Sequence, residues 1–127
     1  MARKLKFSIV PGLFAVSRLL PEAAIPQWAH SASFASITRT SDEVSIVCLA
    51  SSVPEDVKSE RDWACLKLLG PFPFQETGIL ASFLDPCART GIPIFAISTF
   101  DTDYVLIKQQ DQARTIVALT GVGYELV

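Results

Sequence analysis

A basic excess is missing from this sequence. Its 127 residues hold 11 Lys and Arg against 13 Asp and Glu, a formal net charge of −2. That argues against a nucleic-acid partner, whose phosphates need a basic face. Long apolar runs are missing too. None approaches the ~18–20 residues of a bilayer span, so no membrane partner is expected. Histidine occurs once, at His30, with no Cys or Ser in motif context, which leaves no nucleophile–base pair to read. The three cysteines, Cys48, Cys65 and Cys87, are odd in number and none sits at C-x-x-C spacing. Each lies in an apolar pattern, which suggests buried reduced thiols in a cytoplasmic protein. No phosphate-binding loop, dinucleotide fingerprint or zinc-ligand spacing is present, so neither a cofactor nor a metal is expected. The start, MARKLKFSIVPGLFAV, has the basic opening and apolar run of a signal peptide. Pro11-Gly12 breaks that run, Arg18 follows soon after, and no small-residue cleavage site appears. A first strand with a bulge at Pro11-Gly12 is the better reading.

What is present is a core. Half the residues are hydrophobic, enough for one compact unit or two very small ones sharing a core. Leu5 to Val10 and Leu13 to Leu20 read as one bent strand or two short ones. Pro21 and Pro26 forbid a long helix between them. Ser33 to Thr38 alternates and Val44 to Ala50 is β-branched, so the two predict a hairpin turning at Ser41-Asp42-Glu43. Val53-Pro54-Glu55 predicts a short helix, and the charges from Glu55 to Asp62 an exposed connector.

The rest of the chain is organised around Gly70 to Lys108. Trp63 to Leu69 predicts a strand, followed by a Gly/Pro loop. A helix then begins at Glu76 or Thr77, with Leu80, Phe83, Leu84, Cys87 and Ala88 on one stripe. Pro86 predicts a kink in it, and Gly91 a C-terminal cap. Ile94 to Phe100 and Tyr104 to Lys108 predict a second hairpin around Asp101-Thr102-Asp103. Ile94 to Ile97 is apolar without alternation, so cover is expected on both faces, from the N-terminal half or from a second copy of the chain. Asp111 is expected to cap a final helix with Ala113, Ile116 and Val117 inward and Gly121 closing it, ahead of a last strand from Tyr124. The fold class is α+β. The second half follows the ferredoxin-like βαββαβ order, with an antiparallel sheet and helices on one face. The first half reads as a degenerate copy with shrunken helices, although no sequence repeat is evident by eye. The expected division is 1–60, a truncated half, and 61–127, a complete domain.

With these residues in view, the chain resembles the ACT-domain family, the small-molecule-binding module of amino-acid-regulated enzymes. The stretch GILASFLDPCARTGIPIFAISTFDTDYVLIK is similar to the paired ACT domains of aspartate kinases and of cytosolic arginine sensors. PGLFAVSRL, SFASITRTSDEVSIVC and VPEDV resemble the companion half of small stand-alone members. The resemblance implies a non-catalytic sensor that binds a free amino acid between two ACT units. The ligand's backbone charges would meet main-chain groups at the start of the first helix, here Glu76, Thr77, Gly78 and Ile79. Residues matching Thr99, Phe100 and Asp103 flank the ligand in the arginine sensors, and Ser98 and Thr102 complete that turn. The residues agree independently. A helix start offers unpaired amides and a positive dipole end to a carboxylate, and an acidic turn suits an ammonium or guanidinium. Each also has a structural reading. Asp and Thr are ordinary hairpin residues, Ser98 and Thr99 can bond the turn backbone, Gly78 can serve packing, and Glu76 can complement the helix dipole. The expected partners are a free amino acid and a second copy in a homodimer. The other candidates are a partner-binding or structural module without ligand and, more weakly, a small enzyme with Asp103 or Glu76 as base.

Overall fold

The structure is a computed structural model that describes residues 5–30, 33–70 and 77–127. The strands are β1 (Lys6–Leu19), β2 (Ser36–Arg39), β3 (Val44–Leu49), β4 (Ser59–Leu68), β5 (Ile94–Ser98), β6 (Asp103–Lys108) and β7 (Glu125–Leu126). The helices are α1 (Ile79–Arg89) and α2 (Gln112–Gly121), with 3-10 turns at Gln27–Ala29, Ala50–Ser52 and Gln109–Asp111. By contacts the chain forms two compact units. One is Val10–Trp63, and the other joins a segment ending at Ile9 to Ala64–Val127.

In the N-terminal unit the sheet order is β2-β3-β1-β4, as a βαββαβ chain demands, but each helix has shrunk to a 3-10 turn. β3 runs antiparallel to both β2 and β1, with Ser36 opposite Val47 and Phe14 opposite Leu49. Its core gathers Ala15, Ala29, Val44, Ile46, Cys48 and Val53, with Trp28 packed against them. β1 runs unbroken through Pro11-Gly12, with Gly12 at φ +97. One expectation fails here and another holds in part. The short helical turn lies at Ala50–Ser52 and not after Val53. The charged stretch is exposed as expected, but it connects only as far as Lys58, and from Ser59 on it is the start of β4. Arg61 pins the preceding segment, donating to Ala50 O at 2.9 Å and Val53 O at 3.0 Å.

In the C-terminal unit β4, α1, β5, β6, α2 and β7 follow the βαββαβ order. Its sheet runs β1-β4-β6-β5, with β7 pairing parallel to the start of β1 at Lys6↔Glu125 and Phe7↔Leu126. Both helices cover one face. Ile79, Phe83 and Cys87 of α1 and Leu119 of α2 pack with Phe7, Leu66, Leu68, Val105 and Ile107. Strand alternation places Cys65 and Leu106 on the opposite face, also fully buried. Burial pushes the Cys65 thiol up to about 12 and raises Cys87 for the same reason. Cys48 is raised by burial too, against a smaller pull from Arg61.

α1 passes through Pro86 as one helix, and its first residue is Ile79, later than Glu76 or Thr77. Proline has no N–H to give the carbonyl one turn back, Ser82 O. The Tyr124 hydroxyl donates to that carbonyl instead, at 2.9 Å. Gly91, at φ +74, terminates the helix as expected. Ile92 N bonds Cys87 O at 3.0 Å and Gly91 N bonds Ala88 O at 3.0 Å, the paired pattern of a Schellman end. Ala88 is exposed, outside the buried stripe. Asp111 does not cap α2 with its side chain. Its Oδ1 instead accepts from Arg114 Nε at 3.0 Å, and Arg114 Nη1 continues to Thr90 O at 3.1 Å, at the C-terminal end of α1. Thr115 and Leu119 face inward and Ile116 partly so, whereas Ala113 and Val117 are exposed. Within one chain β5 is not covered on both faces, so of the two expected sources of cover a second copy is the one left to test. β5 ends the strand order, and Ile94, Phe95 and Ile97 remain half-buried. A continuous apolar run reads the same in an edge strand whose outer side is open as in a central one.

Candidate functional site

β4 ends, α1 begins and the β5–β6 hairpin turns at one end of the C-terminal unit's sheet. The link is direct: Thr102, buried, donates its hydroxyl to Leu68 O at 2.6 Å. The hairpin closes at the pair Ser98↔Asp103. Thr99 N bonds Thr102 O at 2.8 Å, Thr99 Oγ1 donates to the same oxygen at 3.0 Å, and Thr102 N reaches back to Thr99 Oγ1 at 3.3 Å. These bonds stiffen the turn and occupy both threonine hydroxyls. The Ser98 hydroxyl donates to Asp103 Oδ1. Phe100 stands outward from the turn, 78% exposed.

Alternation along β6 sets Asp103 on the side of Val105 and Ile107, the helix-covered face. The start of α1 stands over the same face. Gly78 precedes it in a left-handed conformation, φ +78, and among the described residues no side chain caps the helix. The first helical bond is Ser82 N to Gly78 O at 2.9 Å. The amides of Ile79, Leu80 and Ala81 therefore have no acceptor within the helix. Ile79 offers only its main chain, because its side chain lies in the core. Thr77 and Gly78 are exposed, and Glu76 lies outside the described residues. The arrangement can hold an anion at free amides and a cation near the Ser98–Asp103 pair.

Sequence reasoning passed over a second feature at this end. A cavity of about 280 Å³ opens between the end of β4 and the turn, with Lys67, Asp101 and Tyr104 in its wall. Lys67 and Tyr104 belong to the face turned away from the helices. The signal available was a lysine inside the apolar run Ala64–Leu69.

Residues 58–121 match the family model for the ACT domain. An N-terminal-domain family model matches residues 12–56. A crystal structure of an Agrobacterium tumefaciens protein is 44% identical, covers 99% of this chain and 94% of its own, and superposes with a TM-score of 0.94. The ligand-free regulatory subunit of aspartate kinase from Thermus thermophilus is 12% identical, with TM-score 0.59, covering 91% of this chain and 95% of its own. E. coli aspartokinase III, solved with aspartate and ADP, is 12% identical, with TM-score 0.60, covering 92% of this chain and 32% of the kinase. The last two likenesses concern the fold alone.

Proposed function

This chain belongs to the ACT-domain family, and from that membership we propose that it is a non-catalytic regulatory module that binds a free amino acid. The observation that carries this reading is the start of α1, which no side chain among the described residues caps, at the same end and on the same face of the sheet as Asp103. The ligand's carboxylate meets the amides of Ile79 to Ala81, and its cationic group lies toward Asp103, with Thr77, Gly78, Ser98 and Thr99 around it. One structural relative of about the same length is itself a regulatory subunit, which supports the regulatory part of this reading.

Thermal denaturation with each of the twenty amino acids, a basic one first, tests the reading. At ~100 times its dissociation constant, a ligand adds about 2.7 kcal/mol. For a chain of this size that raises Tm by roughly ten degrees. Asp103→Asn keeps the turn and removes the charge. It is expected to abolish a basic ligand's shift and leave the unliganded Tm nearly unchanged. If no amino acid moves the wild-type Tm at millimolar concentration, a partner-binding module replaces the sensor, with exposed Phe100 as its candidate contact.

The protein also works as a homodimer in this reading. β5 ends the strand order, with no charge or proline from Ile94 to Ser98 to guard its edge. Light scattering is expected to give twice the chain mass at micromolar concentration. A monomer mass unchanged by concentration rejects the dimer.

A further inference from the structure

The structure assigns a second ligand site to the C-terminal unit: a cavity on the sheet face away from the helices that takes a small α-amino-acid zwitterion between Lys67 and Asp101. This goes beyond the helix-side site proposed above and does not depend on it. The cavity, of about 280 Å³, brings a basic and an acidic side chain into one wall. Lys67 is half-buried on β4, and Asp101 stands on the hairpin turn. Among the described residues neither side chain has an ionic or hydrogen-bond partner, and the two do not pair with each other. Two opposite charges held in one cavity without meeting match a molecule that carries both charges itself. A half-buried ammonium gains from a carboxylate, and a turn aspartate from an ammonium, with charge-assisted hydrogen bonds at each end. Tyr104 and Leu69 supply the apolar wall that a side chain needs.

The N-terminal unit shows how the counterpart of Lys67 is used there. Ala15-Val16-Ser17-Arg18-Leu19-Leu20 repeats as Ala64-Cys65-Leu66-Lys67-Leu68-Leu69. The turn Thr40 to Glu43 repeats the bonds of Thr99 to Thr102: Thr40 N to Glu43 O at 2.9 Å, and Glu43 N to Thr40 Oγ1 at 3.2 Å. Arg18 is therefore the counterpart of Lys67, and Asp42 of Asp101. There the longer arginine crosses to the hairpin itself, Nη2 donating to Asp42 O at 3.1 Å. In the C-terminal unit the shorter lysine makes no such bond, and its ammonium is left to a ligand in the cavity.

Isothermal titration of the intact chain with the twenty amino acids, one at a time, tests this. Lys67→Met and Asp101→Asn are each expected to weaken the ligand at least ~10-fold. Any component of the isotherm that is lost in Asp103→Asn belongs to the helix-side site and is set apart from the one tested here. The carboxamide analogue of the ligand binds the wild type weakly and binds Lys67→Met no worse, because both changes remove the same contact. The Asp101 variant keeps the test open if Lys67→Met fails to fold, since Asp101 is exposed and the threonine bonds hold the turn. Binding lost only in Asp103→Asn overturns this site and leaves the helix-side site standing. Binding lost only in the Lys67 and Asp101 variants does the reverse. A panel with no heat of binding overturns both.

Discussion

Phe83→Ala is expected to destabilise the protein by about 3–5 kcal/mol, the range for truncating a buried aromatic. Phe83 is fully buried at the centre of the C-terminal core. Its ring meets Phe7 edge-on at a centroid distance of 5.6 Å and Tyr124 at 5.8 Å. It thereby ties α1 to the first strand and to the segment that leads into β7. Removing it leaves a void between two aromatics that cannot close without moving both backbones. Against a total stability of about 5–15 kcal/mol, that is a large fraction of what holds a domain together. Chemical denaturation reads it as a fall in the transition midpoint with an unchanged slope. Phe83→Leu fills most of the space and is expected to lose much less. A loss below about 1 kcal/mol for Phe83→Ala contradicts the packing described here.

Gly12→Val is expected to cost about 2–4 kcal/mol from two sources, backbone strain and overpacking. Gly12 has φ +97, a region that β-branched residues avoid. A Cβ there falls 2.7 Å from Leu49 Cδ2, across the β1–β3 pair. The two sources separate by experiment. Leu49 can swing the end of its side chain, so Gly12→Ala costs mainly the backbone term. In a Leu49→Ala background the clash disappears and the strain remains, so the Gly12→Val penalty falls only in part. A penalty that vanishes in that background means the backbone at residue 12 is not strained. A neutral Gly12→Val rejects both terms.

Much of the fold was legible because local chemistry and topology agree. The alternation of Ser36 to Arg39, the β-branched Val44 to Leu49, the stripe on α1 and Gly91 beyond it each specify their element without help. The misses share a cause. β4 begins among charges because Glu60 and Asp62 fall at the exposed positions of its burial pattern, between half-buried neighbours. Whether Ile94 to Ile97 is covered by this chain or by a second copy could not be read, because an edge cannot be seen in one strand's composition. Asp111 looked like a cap because the competitor for its carboxylate, Arg114, also bridges to Thr90 on the other helix, far back in the sequence. The internal repeat escaped notice because a full helix in one unit stands where the other has a 3-10 turn, which shifts the two hairpins out of step. At the site, the turn threonines and the Ser98–Asp103 pair could be anticipated from residue types. Lys67 could not, since only the strand pairing brings it beside a turn more than thirty residues later.

The parallel pairing of β7 with the start of β1 also sets an order on the making of this protein. The Val10–Trp63 unit is one continuous stretch, and all its strand partners have emerged once Trp63 has. The other unit takes its strands from both ends of the chain, with Lys6 waiting for Glu125 and Phe7 for Leu126. Contacts of such long sequence separation close late and slowly. On the ribosome the first strand is therefore made early and completed late, its leading residues held without their final neighbour until Leu126 has been translated.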